Sequence, residues 1–365
     1  MKILHIITTI ERGGAEKQLL TLATQQALDK HQVFVLPLKG NLELKSQFEK
    51  NSVLVLTSLA NLNWFKQVHL IRKFFKENHF DIVHAHLPRA ELTAALSTKN
   101  KRFVATRHNA ELFFPKSPKF FSTFLSRLVA KRACAVVSIS KAVKDYLQAE
   151  GDIINESCVI HYGFLPFDDN NLTLIPKEAY LKNLGLGPEV KVISTISRLS
   201  YQKDIYTLLH AFKLVKDSIP NAHLLIAGVG KLEKKLKQFC RSLNLDSSVT
   251  WLGQIQNPSD LYNATDVFVL SSLYEGFGLV LLEAMQFEKP IVASNNTAIP
   301  EVIGHRHPGL AKTGDSYDFY QKILLMLSEE TSNLAINMQN INLKNFDIKN
   351  TSNQYLGIYK KCRET

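Results

Sequence analysis

Glu275-Gly-Phe-Gly278-Leu-Val-Leu-Leu-Glu283-Ala-Met285 sets two carboxylates eight residues apart, with Gly276 and Gly278 beside the first. Upstream, Asp266-Val-Phe-Val-Leu-Ser271 reads as a short buried strand. Downstream, Leu279 to Met285 is unbroken and apolar apart from Glu283, as in a helix packed on a sheet. The segment is therefore strand, glycine turn, helix. A helix N-terminus offers an anion free N–H groups and about half a positive charge. Paired glycines let a ligand approach the backbone. Carboxylates beside such a phosphate site suit the hydroxyls of a sugar or a ribose.

Outward from that stretch, strands and helices alternate along the chain. Ile3–Thr8, Gln32–Leu38, Val53–Thr57, Asp81–Ala85, Phe103–Thr106, Ala135–Ser138 and Cys158–His161 read as strands. Helical patterns at Ala15–Leu28, Phe65–Asn78, Arg89–Thr98, Phe120–Lys131 and Lys141–Ala149 lie among them. The pattern restarts after the turn-rich Pro166-Phe-Asp-Asp-Asn-Asn171, where a linker is expected. Such alternation implies parallel, doubly wound α/β sheets. Two Rossmann-like domains, 1–166 and 167–345, are expected to face each other across a crevice. Ligands in such folds sit at the C-terminal ends of strands.

The chain has 365 residues and a net charge of +11, unevenly spread. Residues 1–166 carry 23 Lys/Arg against 13 Asp/Glu, and the remainder 21 against 20. The first half is expected to face something anionic. No nucleic-acid motif or basic tail is present, so an anionic membrane surface is the better candidate. Trp64–Lys76 and Lys119–Arg132 both mix aromatic and basic residues at helical spacing, as interfacial helices do. The other reading of each is a core-facing stripe with a solvated basic back. No apolar run reaches the length of a membrane span. Cys134, Cys158, Cys240 and Cys362 form no C-x-x-C pair, and a reduced, cytoplasmic setting fits them best.

Several loops carry candidate chemistry. Thr195-Ile-Ser-Arg198-Leu-Ser-Tyr-Gln-Lys203 follows a strand, and both cations can reach one diphosphate. Gly228-Val-Gly230 starts like a dinucleotide fingerprint, but Glu233 stands where the third glycine belongs. A tight turn lining a nucleotide is the better reading. Gly13-Gly14-Ala15-Glu16 opens the first helix, either as a plain turn or as a second wall for the diphosphate. His84 and His86 share one strand face by the period of two, with His108 after the next strand. They admit a metal site, but no carboxylate or Cys has matching spacing nearby, and a polar crevice wall is preferred. No D-x-D occurs, so Arg198 and Lys203 are expected to neutralise a leaving group without metal or cofactor.

On these motifs the chain resembles the retaining nucleotide-sugar glycosyltransferases of the GT-B fold, specifically glycosyltransferase family 4. Glu275-x7-Glu283 is the most specific element. Gly13-Gly14-Ala15-Glu16, His108, Arg198, Lys203, Pro290-Ile-Val-Ala293 and Ile299-Pro-Glu301 support it. The resemblance implies that Glu283 binds ribose and that Glu275, Phe277, Gly278 and Leu279 meet the donor sugar. It implies that Arg198, Lys203 and Gly14 hold the diphosphate and that His108 lies near the reacting carbon. The family's last helix crosses back onto the first domain, which residues 346–365 could do. Asp204 and His161-Tyr162-Gly163 depart from the usual Gly and Asn-Gly. Tyr162 either lines the crevice or is structural. The implied activity is EC 2.4-class transfer from a nucleotide sugar, UDP slightly favoured over GDP. The acceptor is a lipid-linked or cell-surface glycan, met on the cytoplasmic face of the inner membrane. An NAD-dependent oxidoreductase, a non-catalytic nucleotide-sugar-binding protein and a nucleotide-sugar epimerase remain the alternatives.

Overall fold

The computed structural model describes residues 1–98, 103–152, 157–167 and 173–364. Most of the expected linker, from residue 168 on, lies outside the described residues. The chain divides into unit 1, Met1–Leu165 with Phe346–Thr365, and unit 2, Pro166–Asn345.

In unit 1 the strands are β1 (Lys2–Ile7), β2 (Gln32–Pro37), β3 (Leu54–Val55), β4 (Ile82–His86), β5 (Phe103–Arg107), β6 (Ala135–Ser138) and β7 (Cys158–Val159). They form one parallel sheet ordered β3-β2-β1-β4-β5-β6-β7. Helices α1 (Gly14–Leu28), α2 (Lys45–Lys50), α3 (Trp64–Glu77), α4 (Pro88–Ser97), α5 (Lys119–Arg132) and α6 (Lys141–Ala149) make the crossovers. In unit 2 a second parallel sheet runs β10-β9-β8-β11-β12-β13. Its strands are β8 (Lys191–Ile196), β9 (Ala222–Ala227), β10 (Val249–Gly253), β11 (Val267–Leu270), β12 (Ile291–Ser294) and β13 (Leu310–Ala311). Helices α7 (Lys177–Asn183), α8 (Ile205–Ser218), α9 (Glu233–Ser242), α10 (Ser259–Ala264), α11 (Leu279–Gln286), α12 (Ile299–Ile303), α13 (Ser316–Met326) and α14 (Glu329–Leu343) pack around it.

Each sheet reverses its winding once, between β1 and β4 in unit 1 and between β8 and β11 in unit 2. The loops that leave strands on either side of such a reversal diverge and open a ligand-sized gap. The strands are buried on both faces, so they read as near-continuous apolar runs. The unit 2 core shows this, with Ile193, Leu224, Ile226, Val267, Val269 and Val292 packed on Leu208, Phe212 and Phe319.

The last helix, α15 (Ile348–Glu364), belongs to unit 1 and packs on α1. Tyr355, Tyr359 and Cys362 are buried there with Ile3, Ile82, Val104 and Val137. Cys362 is joined to Cys134 by a disulfide, across 228 residues and a Cα–Cα distance of 5.7 Å. That corrects the expectation of four reduced cysteines, because sequence spacing carries no information about a pair so far apart. Only Cys158 and Cys240 are free. Reduction, or Cys362→Ser, is expected to lower unfolding stability by about 3 kcal/mol, because a crosslink removes entropy from the unfolded chain. Denaturant unfolding of the oxidised and reduced protein measures this, and coincident curves would refute it.

Helix α5 settles one of the two readings of its sequence. Its buried face is Ser122, Ser126 and Val129, whereas Phe120 (78% exposed), Phe121 and Phe124 (61%) point to solvent. The serines are held by polar partners: Ser126 Oγ accepts from Arg107 Nη1 at 2.9 Å, and Ser122 Oγ from the Phe114 amide at 2.9 Å. The phenylalanines are therefore not a core-facing stripe. In α3, Gln67, Val68 and Ile71 face inward and Phe65 is exposed.

Candidate active site

In unit 2 the loops after β8 and β11 are stitched together at the winding reversal. Ser271 Oγ donates to the carbonyls of Lys203 and Asp204, both at 3.0 Å. Gln202 Nε2 donates to Tyr274 O at 2.9 Å, and the Leu273 amide to Gln202 O at 2.8 Å. These contacts place Lys203 Nζ 2.5 Å from Glu275 Oε1, with the two side chains 14% and 7% exposed. Ser272 Oγ donates to the same carboxylate oxygen at 2.6 Å, and the Glu275 amide donates to Thr297 Oγ1 at 2.9 Å. Lys203 carries three N–H donors, so it can keep Glu275 and still meet a second oxygen.

Asp204, where a glycine is usual, sits at φ +43°, a region L residues rarely enter. Its carboxylate compensates by capping α8, accepting from Thr207 Oγ1 at 2.6 Å and from the Thr207 amide at 3.4 Å. Arg198 is exposed and donates to Gln202 Oε1 at 3.4 Å.

Gly278 has φ +96° and is the residue before α11, so the turn requires glycine. Leu279 begins the helix, and Phe277 is buried at its entrance. Glu283 is buried one turn on and accepts from Tyr262 Oη at 2.9 Å. Burial, reinforced by the Glu283 charge, raises the Tyr262 phenol well above its usual value, so it stays a donor. Tyr262 and Ser272 were missed in the sequence. Both lie on segments that read as plain packing, and only the fold brings them to the carboxylates.

Gly228 has a packing reason. A Cβ there, at φ +132°, would fall 1.8 Å from the Ser197 carbonyl oxygen, and its amide already donates to Gly253 O. What it can offer a ligand is the absence of a side chain. In unit 1, Gly13 precedes α1 with extended backbone. A Cβ on Gly14 would meet nothing within 4 Å, so space is open beside that backbone.

Unit 1 holds a cavity of about 310 Å³ at its own winding reversal. Thr8, Arg89, His108 and Asn109 line it, with Phe113 and Phe114 as an apolar wall. Glu91 and Arg107 also border it as a buried ion pair, Oε2 to Nε 2.7 Å. Burial drives the Glu91 carboxyl up to about 7, against the pull of Arg107.

His84 and His86 do not form a polar crevice wall, as the sequence led us to expect. They are 0% and 2% exposed, lying with His5 beneath α1 and α15. The three rings bring nitrogens within 4.8 Å of one another. His108, also buried, continues the row: its Nε2 is 3.1 Å from His86 Nδ1 and its Nδ1 2.5 Å from Tyr162 Oη. Tyr162 is buried as well, so the structure gives it the internal of its two expected roles.

Two family profiles cover most of the chain: Glycosyltransferase Family 4 over residues 12–164, and Glycosyl transferases group 1 over 176–342. The chain is a GT-B glycosyltransferase of the family 4 type. As such it is a transferase of the EC 2.4 kind. An uncharacterized glycosyltransferase of Methanocaldococcus jannaschii is 32% identical over 49% of this chain and 46% of its own length. The chain thus spans about half of that relative. A Campylobacter jejuni enzyme is 25% identical over 100% of this chain and 99% of its own. It is an α-1,4-N-acetyl-D-galactosaminyltransferase named for a diNAcBac-PP-undecaprenol-linked acceptor. Anabaena Alr3699/HepE in complex with UDP superposes with a TM-score of 0.81 and 25% identity, covering 99% of this chain and 100% of that one.

Proposed function

We propose that this glycosyltransferase moves a sugar from a nucleoside diphosphate, UDP favoured, to a lipid-linked glycan, with retention at the anomeric carbon and without metal. The observation that carries the donor half is the Lys203–Glu275 pair at the unit 2 winding reversal, beside the start of α11, the helix that carries Glu283. Lys203 and Arg198 hold the diphosphate, Glu283 the ribose, and Glu275 the sugar with Phe277, Gly278 and Leu279. Gly13 and Gly14 offer unit 1's open backbone, and His108 contributes a sugar contact. As the bond to the sugar breaks, charge grows on the leaving phosphate, and fixed cations stabilise that charge most in the transition state. The UDP-bound relative supports the choice of base.

The acceptor half rests on unit 1. Phe120, Phe124, Arg127 and Lys131 share one exposed face of α5, an aromatic-basic stripe that suits an anionic bilayer surface. No helix among the described residues is long and apolar enough to cross a membrane, so the contact is peripheral. The acceptor named for the Campylobacter jejuni relative agrees with this.

Thermal melts with UDP, GDP, ADP and NAD, each with and without EDTA, test the donor. UDP at about 100 times its dissociation constant is expected to stabilise by about 2.7 kcal/mol, EDTA notwithstanding. Stabilisation by NAD alone would overturn the reading.

A further inference from the structure

Gln26 of α1 is buried against two rows of side chains, and placing its carboxamide fixes the direction of the hydrogen bonds in the first. Its carbonyl takes the 2.8 Å contact with His5 Nε2, and its amide nitrogen the 3.4 Å contact with Tyr359 Oη. A neutral imidazole has one N–H and one bare nitrogen. His5 therefore carries its proton on Nε2 and accepts at Nδ1, 3.0 Å from His86 Nε2. His86 must then be protonated on Nε2 and bare on Nδ1, where it accepts from His108 Nε2 at 3.1 Å. His108 is left bare at Nδ1 and accepts the Tyr162 hydroxyl at 2.5 Å.

The second row is not fixed in this way, because a phenol oxygen that accepts from Gln26 can either accept again or donate. Tyr359 Oη lies 2.6 Å from His84 Nδ1, His84 Nε2 2.7 Å from Thr106 Oγ1, and Thr106 Oγ1 3.1 Å from Tyr355 Oη. Both nitrogens of His5, His84 and His86 are thereby engaged, so a metal would have to displace these bonds.

We propose that Gln26 is a positioning residue that sets the tautomer and ring orientation of His108 through the two intervening imidazoles of His5 and His86. Burial keeps all four rings neutral, which the one-way pattern requires. His108 then borders the unit 1 cavity with both nitrogens committed inward. It contributes shape and ring polarity there and neither gives nor takes a proton. That consequence rests on the reading of His108 as a sugar contact, whereas the row itself does not.

Imidazole ¹⁵N–¹H correlation spectra of the whole protein read the row directly. His5, His86 and His108 are expected as neutral Nε2–H tautomers at pH 7, and an Nδ1–H on any of the three would overturn the proposal. Gln26→Glu keeps an acceptor for His5 and is expected to preserve the His108 tautomer. Gln26→Leu removes it and is expected to release His108 into a mixture, although the two residues do not touch. An unchanged His108 signal in a folded Gln26→Leu protein would overturn the coupling. Should that variant not fold, the wild-type tautomers still decide. Added Zn²⁺ alone is expected to leave the four signals in place, and their loss would assign the cluster to a metal instead. Failure of UDP to stabilise the protein would remove the donor reading without touching these signals.

Discussion

Lowering the pH from 7 to 5 is expected to unfold unit 1, through the four imidazoles buried under α1 and α15. Each has its pKa lowered by burial from an ordinary 6.5, His5 to about 4 and His108 to about 3. His84 and His86 lie well below 6.5, and neighbouring imidazoles push them down further. The groups facing the row are Gln26 from α1, Thr106 from β5, Tyr355 and Tyr359 from α15, and Tyr162. Burial raises all three phenols, so none supplies a negative charge to hold a proton on the rings. Above pH 7 both folded and unfolded chains carry neutral imidazoles, and stability is level. Below 6.5 the unfolded chain takes up protons that the folded chain refuses, His5 until about pH 4 and His108 until about pH 3, so stability falls as the pH drops. Each ring costs about 1.4 kcal/mol per pH unit, and four rings at most about 5–6. Typical domain stabilities are about 5–15 kcal/mol, so one to two pH units suffice. Urea titrations at pH 7, 6 and 5 measure the slope. A level stability across that range would refute the account.

Lys203→Met is expected to reduce turnover by two to three orders of magnitude, with a smaller change in donor affinity. Fixed charges at a developing anion act mostly in the transition state, and removing one such group costs on the order of 10²–10³ in rate. The same substitution also strands Glu275, whose side chain is 7% exposed. An unpaired carboxylate there is expected to destabilise the protein by about 3 kcal/mol. The two effects separate in the double variant Lys203→Met with Glu275→Gln. Its stability is expected to recover because the stranded charge is gone, while its turnover stays low. Recovery of both would make the pair a structural salt bridge with no part in transfer.

The parts of this protein that follow from near-neighbour pattern were legible in the sequence. Val267–Leu270, the Gly278 turn and Leu279–Gln286 fall where periodicity and glycine placed them. The shared face of His84 and His86 followed from the period of two. Their burial did not, because Tyr355 and Tyr359 arrive on α15 some 270 residues later. The polarity of α5 was misleading for the same reason. Its serines face inward to meet Arg107 and Phe114, which no helical wheel contains. Glu275 and Lys203 were picked out separately, but their contact depends on two loops stitched by Ser271 and Gln202. The short elements α2, α7, α12 and β13 carry too few residues to establish a period.

The closure of unit 1 by its last helix also decides how the chain bears load. The backbone leaves unit 1 at Leu165 and re-enters at Phe346, and the two crossings lie side by side: the Phe164 amide donates to Phe346 O at 2.6 Å. The Cys134–Cys362 bond spans both crossings. Tension applied along the chain from outside that bond therefore reaches Cys134, steps across the sulfur bridge and leaves from Cys362. Everything between hangs off that path as a slack loop, so a pull that ruptures the unit 1 sheet transmits no extension to unit 2 until the bridge is cut.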